Sequence, residues 1–140
     1  MNSSGEGRAQ RSPHGPHWSI YALALLFAAA GVLHFVVPRP FERIVPTWIP
    51  DAPLVVAISG IAEALGGIGL LVAGTRRMAG VGLIALLIAV FPANVHMLQL
   101  GYTDGSSQLW QAFLWIRLPL QPLLIWWVWR VAARPGARGV

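Results

Sequence analysis

The sequence contains no cysteine, no lysine and few charged residues of any kind. Without cysteine, this chain alone cannot carry out thiol–disulfide chemistry, bind metals through thiolates or hold an iron–sulfur cluster. Only 11% of its 140 residues are charged, whereas 56% are hydrophobic, and the mean hydropathy is +0.61. A soluble domain of this length could not bury so much apolar surface, but a lipid bilayer accommodates it. The composition therefore predicts an integral membrane protein.

All ten positively charged residues are arginines, against five acidic residues. In a soluble protein, the net charge of +5 and the pI near 11.4 would suggest nucleic-acid binding. Here the arginines lie mainly at the ends of apolar segments and in the tails, where they are typical of topology signals and of contacts with anionic lipid headgroups. We therefore expect the lipid bilayer, and not nucleic acid, to be the partner of these charges.

Four apolar segments of about 20 residues each match the length needed to cross a bilayer core of roughly 30 Å. They cover residues 18–37, 54–73, 78–98 and 110–131. Because a backbone in lipid must satisfy its own hydrogen bonds, each segment is predicted to be a helix. The expected fold is an all-α membrane protein, a four-transmembrane-helix bundle over residues 18–131. Residues 1–17 are expected to be a disordered tail and not a signal peptide, and residues 132–140 a basic tail.

The arginines are distributed unevenly between the two ends of this predicted bundle. Arg39 and Arg43 fall at one end, together with Asp51 and Asp104. Seven arginines fall at the end that holds both termini: Arg8, Arg11, Arg76, Arg77, Arg130, Arg134 and Arg138. The positive-inside rule then predicts cytoplasmic termini, in a multi-pass protein of a bacterial-type inner membrane.

The connection between the first two apolar segments, residues 38–53, contains five prolines among apolar side chains such as Phe41 and Trp48. Proline stiffens the backbone, and the apolar side chains avoid water. We expect a stiff segment with one short helix that lies on the outer membrane interface and covers the mouth of the bundle.

A small set of polar side chains interrupts the apolar segments. An ionisable group inside a bilayer costs about 2.5 to 3.5 kcal/mol on insertion scales, so such groups usually face the bundle interior and find partners there. His96 lies nearest the interface and is the weaker candidate. The ligand-binding candidates, all in the predicted outer half of the bundle, are Glu63, Arg117, His34, Asn94 and Gln121.

Helical spacing supports an inward orientation for these groups. Glu63 shares a helix face with Gly60 and Gly67, and small residues of this kind mark the places where membrane helices approach closely. Pro119 and Pro122, beside Arg117 and Gln121, each remove a backbone hydrogen bond and leave room for a ligand.

Two interpretations of these residues stay open. In the first, Glu63 and Arg117 form a buried charge pair at the centre of a polar pocket that binds a ligand or handles protons. In the second, the same pair only fixes the register of the helices.

A metal site formed by His34, Glu63 and His96 would have suitable ligand types, but spacing on three helices does not establish its geometry, and no metal is predicted.

Several short motifs, spread over about residues 20–130, resemble the DoxX-like family of small bacterial membrane proteins. They are AGVLHF at 30–35, PFERIVPTWIP at 40–50, SGIAEALGG at 59–67, TRRMAG at 75–80, FPANV at 91–95 and RLPLQ at 117–121. The resemblance implies a four-helix membrane fold. That family takes its name from a subunit of an archaeal thiosulfate:quinone oxidoreductase, and another member resembles a partner in a mycobacterial membrane oxidoreductase complex. His96 departs from the family, in which an aromatic residue such as tyrosine is expected.

Together, the residues and the resemblance lead to one main functional expectation. The chain would be a redox-linked accessory subunit that binds a quinone-like or other small amphipathic ligand, with Arg117, Glu63 and His34 binding or protonating its polar head. Its partners would be other membrane or redox proteins. The alternative is a non-catalytic membrane scaffold or assembly protein in which the Glu–Arg pair is structural. A proton-coupled carrier is a third hypothesis, although four helices enclose little volume without oligomerising.

Overall fold

The computed structural model describes residues 17–134, and all regular structure in this range is helical. The helices are α1 (His17–Val36), α2 (Pro38–Arg43), α3 (Ala52–Leu71), α4 (Arg76–Thr103), α5 (Gln108–Val128) and a terminal π-helix (Trp129–Ala133). Four of them are long and apolar enough to cross a membrane. The predicted disordered tail lies outside the described residues except for His17, and of the predicted basic tail only residues 132–134 lie within them.

The four long helices correspond to the four predicted segments, and each begins one or two residues before its predicted start. The clear difference is at the end of α4, which continues to Thr103 although the apolar segment was predicted to end at residue 98. Loss of hydropathy marks where a segment would leave lipid, whereas a helix continues until its backbone is interrupted. That interruption comes at Gly105, which adopts a φ of 64°, and Ser107 then caps α5 by accepting a hydrogen bond from the amide of Trp110.

The connection between α1 and α3 contains the predicted short helix. Pro38 and Pro40 lie in the first turn of α2, where a missing amide hydrogen breaks no helical hydrogen bond. Asp51 ends the connection in a left-handed conformation, with a φ of 56°, and caps α3 by accepting a hydrogen bond from the amide of Leu54. We call residues 38–50 the cap segment.

The helices pack in sequence, α1 on α3, α3 on α4 and α4 on α5, and the π-helix closes the bundle against α4 and α1. The main apolar core lies at the end of the bundle that contains the α3–α4 connection. This region, the packed end, is built from Leu23, Ala24, Phe27, Leu70, Leu83, Leu87, Val128 and Ala132.

Glycine allows α1 and α3 to approach at backbone distance. A methyl group added at Gly67 would lie 2.8 Å from the carbonyl oxygen of Ala24 and 2.8 Å from the amide nitrogen of Ala28. One added at Gly60 would lie 2.7 Å from the Cβ atom of His34. Gly60 and Gly67 therefore mark close helix contacts, as their spacing predicted.

Candidate functional site

A cavity of about 500 Å³ lies toward the other end of the bundle, beneath the cap segment. We call this region the cavity end. Most of its wall is apolar, with contributions from all four long helices and from the cap segment. All five polar side chains singled out from the sequence line this one cavity: His34, Glu63, Asn94, Arg117 and Gln121.

On the α1–α3 side of the cavity, His34 and Glu63 form a pair. The Nδ1 atom of His34 lies 3.6 Å from the Oε2 atom of Glu63, and the two side chains are only 10% and 12% exposed. The same Nδ1 atom lies 2.8 Å from the carbonyl oxygen of Ala30, which can only accept a hydrogen bond, so Nδ1 carries a proton. The imidazole stacks on Phe41 of the cap segment, with ring centroids 4.0 Å apart. These contacts fix the ring beside the carboxylate.

The Oε2 atom of Glu63 is buried and accepts no hydrogen bond from any residue that the structure describes. A buried polar atom without a partner is costly, and most such atoms in folded proteins are satisfied. An unpaired carboxylate oxygen on a cavity wall is therefore a place where a ligand's hydrogen-bond donor would be stabilised.

On the α4–α5 side, three side chains form a directional chain of hydrogen bonds. The Nε atom of Arg117 donates to Asn94 Oδ1 at 3.2 Å, and Asn94 Nδ2 donates to Gln121 Oε1 at 2.7 Å. Gln121, which is buried, then donates through Nε2 to the carbonyl oxygen of Leu87. Pro92 has no amide hydrogen to donate to the carbonyl of Ile88, which is next to Leu87 in α4. The chain ties α4 to α5.

The predicted direct pair of Glu63 with Arg117 was wrong. Glu63 has His34 as its ion partner, whereas Arg117 donates to Asn94. Gly60 brings α1 against α3, which places His34 beside Glu63, whereas the Nε atom of Arg117 donates to Asn94. Apart from Nε, the guanidinium of Arg117 has no hydrogen-bond acceptor within residues 17–134, and it is half-buried on the cavity wall.

The cap segment is held over the cavity by contacts with α1, with α4 and with the turn that follows α4. Besides the stacking of Phe41 on His34, the Nδ1 atom of His96 hydrogen-bonds the carbonyl oxygen of Ile44 at 2.9 Å. Arg43 forms an exposed ion pair with Asp104. His96 thus holds the cap segment and does not line the cavity. Spacing along the chain gave no signal for this role, because the role depends on the cap segment lying over α4.

Among residues 17–134, no three His, Cys, Asp or Glu side chains cluster so that they could hold a metal ion. His34 and Glu63 are together, but His96 is bound to the cap segment instead. The three-residue set considered from the sequence is therefore not assembled.

Comparison with known proteins gives one match. Residues 23–132 match a family described as a domain of unknown function, DUF8561, and this range contains all five polar side chains of the cavity. Neither a curated protein nor a solved structure matches the chain. Because the match covers most of its length, the chain belongs to the DUF8561 family.

Proposed function

We propose that this protein crosses a bacterial-type inner membrane four times and binds a lipid-soluble, quinone-like amphiphile in its cavity, as an accessory subunit of a redox complex. In this proposal the apolar wall holds the ring of the ligand, and the polar side chains bind its head group. The resemblance to the DoxX-like family supports the redox assignment by analogy. The chain has no cysteine to hold an iron–sulfur cluster, so in this proposal electrons come from a partner protein.

The proposed orientation places the packed end in the cytoplasm and the cavity end in the outer half of the membrane. Arg76 and Arg77 are the first two residues of α4 at the packed end. Two further arginines there lie over tryptophan rings, Arg130 over Trp126 at 5.2 Å and Arg134 over Trp129 at 5.7 Å. Arginine and tryptophan together are typical of the interfacial region of a membrane, and arginine is enriched on the cytoplasmic side.

The observation that carries the ligand proposal is the Oε2 atom of Glu63, which lies near His34 but accepts no hydrogen bond, on the same cavity as the uncommitted guanidinium N–H groups of Arg117. One wall therefore offers a hydrogen-bond acceptor, and the other offers donors. A quinone head group carries an oxygen at each end of its ring. In its reduced form a hydroxyl can donate to Glu63, while a carbonyl oxygen of the oxidised form can accept from Arg117. His34, beside Glu63, can share a proton with it.

The test is calorimetric titration of the purified protein in lipid nanodiscs with decylbenzoquinol, the reduced form, whose hydroxyl groups can both donate to Glu63 and accept from Arg117. Glu63→Gln and Arg117→Gln should each weaken binding about tenfold or more, because each removes a hydrogen bond to a charged group. Arg77→Gln makes the same chemical change as Arg117→Gln outside the cavity and should leave the affinity unchanged. Unchanged affinity in both cavity variants, in proteins that keep the wild-type melting temperature, would contradict the proposal.

A second function, a membrane scaffold whose polar groups only hold the fold, is favoured by one observation. The Arg117–Asn94–Gln121 chain satisfies its members internally and ties two helices together without a ligand. For a scaffold, Glu63→Gln and Arg117→Gln would lower stability and the recovery of partner membrane proteins after cross-linking, and no quinone binding would be lost. Measuring stability and binding on the same samples separates the two functions.

A further inference from the structure

The side of the cavity between α1 and α5 is open, and this bears on what kind of ligand the proposed site can take. Within the described residues, α1 packs on α3 and α5 packs on α4, but α1 and the α-helical part of α5 make no extensive contact. The first and last helices are joined instead at the packed end, where α1 meets the terminal π-helix. A slot is left between α1 and α5 alongside the cavity.

The residues at the edges of this slot face both the cavity and the outside. Leu26 and Leu33 of α1 line the cavity, and each is 47% exposed. On α5, Leu120 lines the cavity and is 50% exposed. Leu26, Ala30 and Leu33 follow one another at helical spacing, so they form an apolar stripe along the slot. The slot is therefore continuous with the cavity and apolar at its edges.

In contrast to its open side, the end of the cavity is covered by the cap segment. The cap segment contributes Phe41, Ile44 and Ile49 to the cavity wall. It is fastened by the contacts of His34, His96 and Asp104 described above. A water-soluble ligand would have to displace this segment, whereas a lipid could enter through the slot without disturbing it.

We infer that the cavity is entered sideways from the hydrocarbon layer, and that its ligand is a lipid with a polar head and a long acyl or isoprenoid chain. This inference rests on the proposed function and specifies its ligand. The head lies between Glu63 and Arg117, and the chain leaves through the slot past Leu33 and Leu120. An apolar opening that faces lipid in the proposed orientation can hold such a chain, whereas charged or polar edges would exclude it.

The test compares two probes in their reduced form, decylbenzoquinol and the same benzoquinol without the decyl chain, on protein in nanodiscs. Leu33→Trp and Leu120→Trp narrow the slot and should weaken binding of the tailed probe at least tenfold more than binding of the tailless probe. Leu33→Phe and Leu120→Phe should give the same pattern with a smaller change. Leu25→Trp and Leu123→Trp are matched controls, because both leucines are exposed on the same helices and neither lines the cavity. Both controls should bind the two probes as the wild type does.

The results separate the two proposals. If the tailed probe binds equally well to wild-type and slot variants, or if the two probes weaken together, the sideways path is wrong, even when binding still depends on Glu63. If neither probe binds the wild type, the quinone-like head of the proposed function is wrong. The slot is then tested with phosphatidylglycerol that carries a photoreactive group in its acyl chain. Cross-links enriched at Leu26, Leu33 and Leu120 over Leu25 and Leu123 support the lipid path, and equal labelling contradicts it.

A second copy of the chain is the other occupant that could cover the slot. Because the chain has no cysteine, Leu33→Cys provides a single thiol in each protomer. Disulfide-linked dimers formed in the membrane by this variant, and not by Leu25→Cys, would assign the slot to an interface between copies and overturn the lipid path. The lipid path predicts no difference between the two variants.

Discussion

The same four long helices are packed in two different ways at the two ends of the molecule. At the packed end, helices meet through glycine and alanine at backbone distance, around leucine and valine side chains that are almost completely buried. At the cavity end, α1 and α5 separate around about 500 Å³ of space lined by five polar side chains. One end is filled by apolar groups, and the other is left open with polar groups turned into it.

This difference indicates how the two ends divide stability and function. In lipid, helices gain little hydrophobic free energy from associating, so close van der Waals packing and interhelical hydrogen bonds have to hold them together. The packed end supplies the close packing, and at the cavity end the hydrogen bond between Asn94 and Gln121 joins α4 to α5. Glu63 lies beside His34 of α1, but its Oε2 atom accepts no hydrogen bond, which is a cost to the fold. In the proposed function this oxygen binds the ligand.

The largest effect is expected from breaking the packed end. In Gly67→Ala, the added methyl group meets backbone atoms of Ala24 and Ala28 that cannot move independently of α1, so the free energy of unfolding should fall by about 2 to 3 kcal/mol. SDS titration of the detergent-solubilised protein, followed by circular dichroism, measures this change. Gly82→Ala is the matched control, because an added methyl group there meets nothing within 4 Å. Equal losses in the two variants would show that helix approach at Gly67 is not what stabilises this end.

The next largest effect is expected from breaking the hydrogen bond that joins α4 to α5 at the cavity end. Gln121→Leu leaves the Asn94 amide and the Leu87 carbonyl without their partner, so it should lower the free energy of unfolding by about 1 to 2 kcal/mol. Gln99→Leu, an exposed glutamine on α4, should have almost no effect in the same SDS titration. If the Gln121 variant proves as stable as the Gln99 variant, the hydrogen-bond chain does not hold α4 to α5.

Glu63→Leu sharpens the comparison because, unlike Gln121→Leu, it should not lower the free energy of unfolding. Glu63→Leu removes a carboxylate whose Oε2 atom accepts no hydrogen bond, and His34 keeps its hydrogen bond to Ala30, so the free energy of unfolding should stay unchanged or rise by up to about 1 kcal/mol. The same titration, run beside Gln121→Leu, checks this. A loss as large as that of Gln121→Leu would mean that Glu63 is a structural residue and would favour the scaffold function.

The smallest effect is expected at the surface of the cap segment. Arg43 and Asp104 are 68% and 41% exposed, so their coupling in a double-mutant cycle of Arg43→Ala and Asp104→Ala should be below about 1 kcal/mol and should weaken with added salt.

His96→Phe removes the hydrogen bond to Ile44 and should loosen the cap segment more than Arg43→Ala does, which hydrogen exchange of residues 41–45 would detect. Faster exchange in the Arg43 variant than in the His96 variant would reverse this ranking.

The helices and the membership of the cavity could be predicted because both depend on patterns within single segments. Hydropathy located the four long helices, and the rarity of polar groups in them picked out Glu63 and Arg117. Which of these groups touch each other depends on how neighbouring helices approach, and the Gly60 contact that brings His34 to Glu63 is a property of two helices together. The role of His96 depends on the cap segment folding back over α4, and no spacing along the chain expresses that.

The central claim is that the polar side chains on the α1–α3 wall serve a ligand and not the fold. Equilibrium dialysis of decylbenzoquinol, the reduced probe, against nanodiscs carrying wild-type or Glu63→Leu protein tests it most directly, provided both proteins melt at the same temperature. The account predicts that the folded variant binds the quinol at least tenfold more weakly. Equal binding by the two proteins would contradict it.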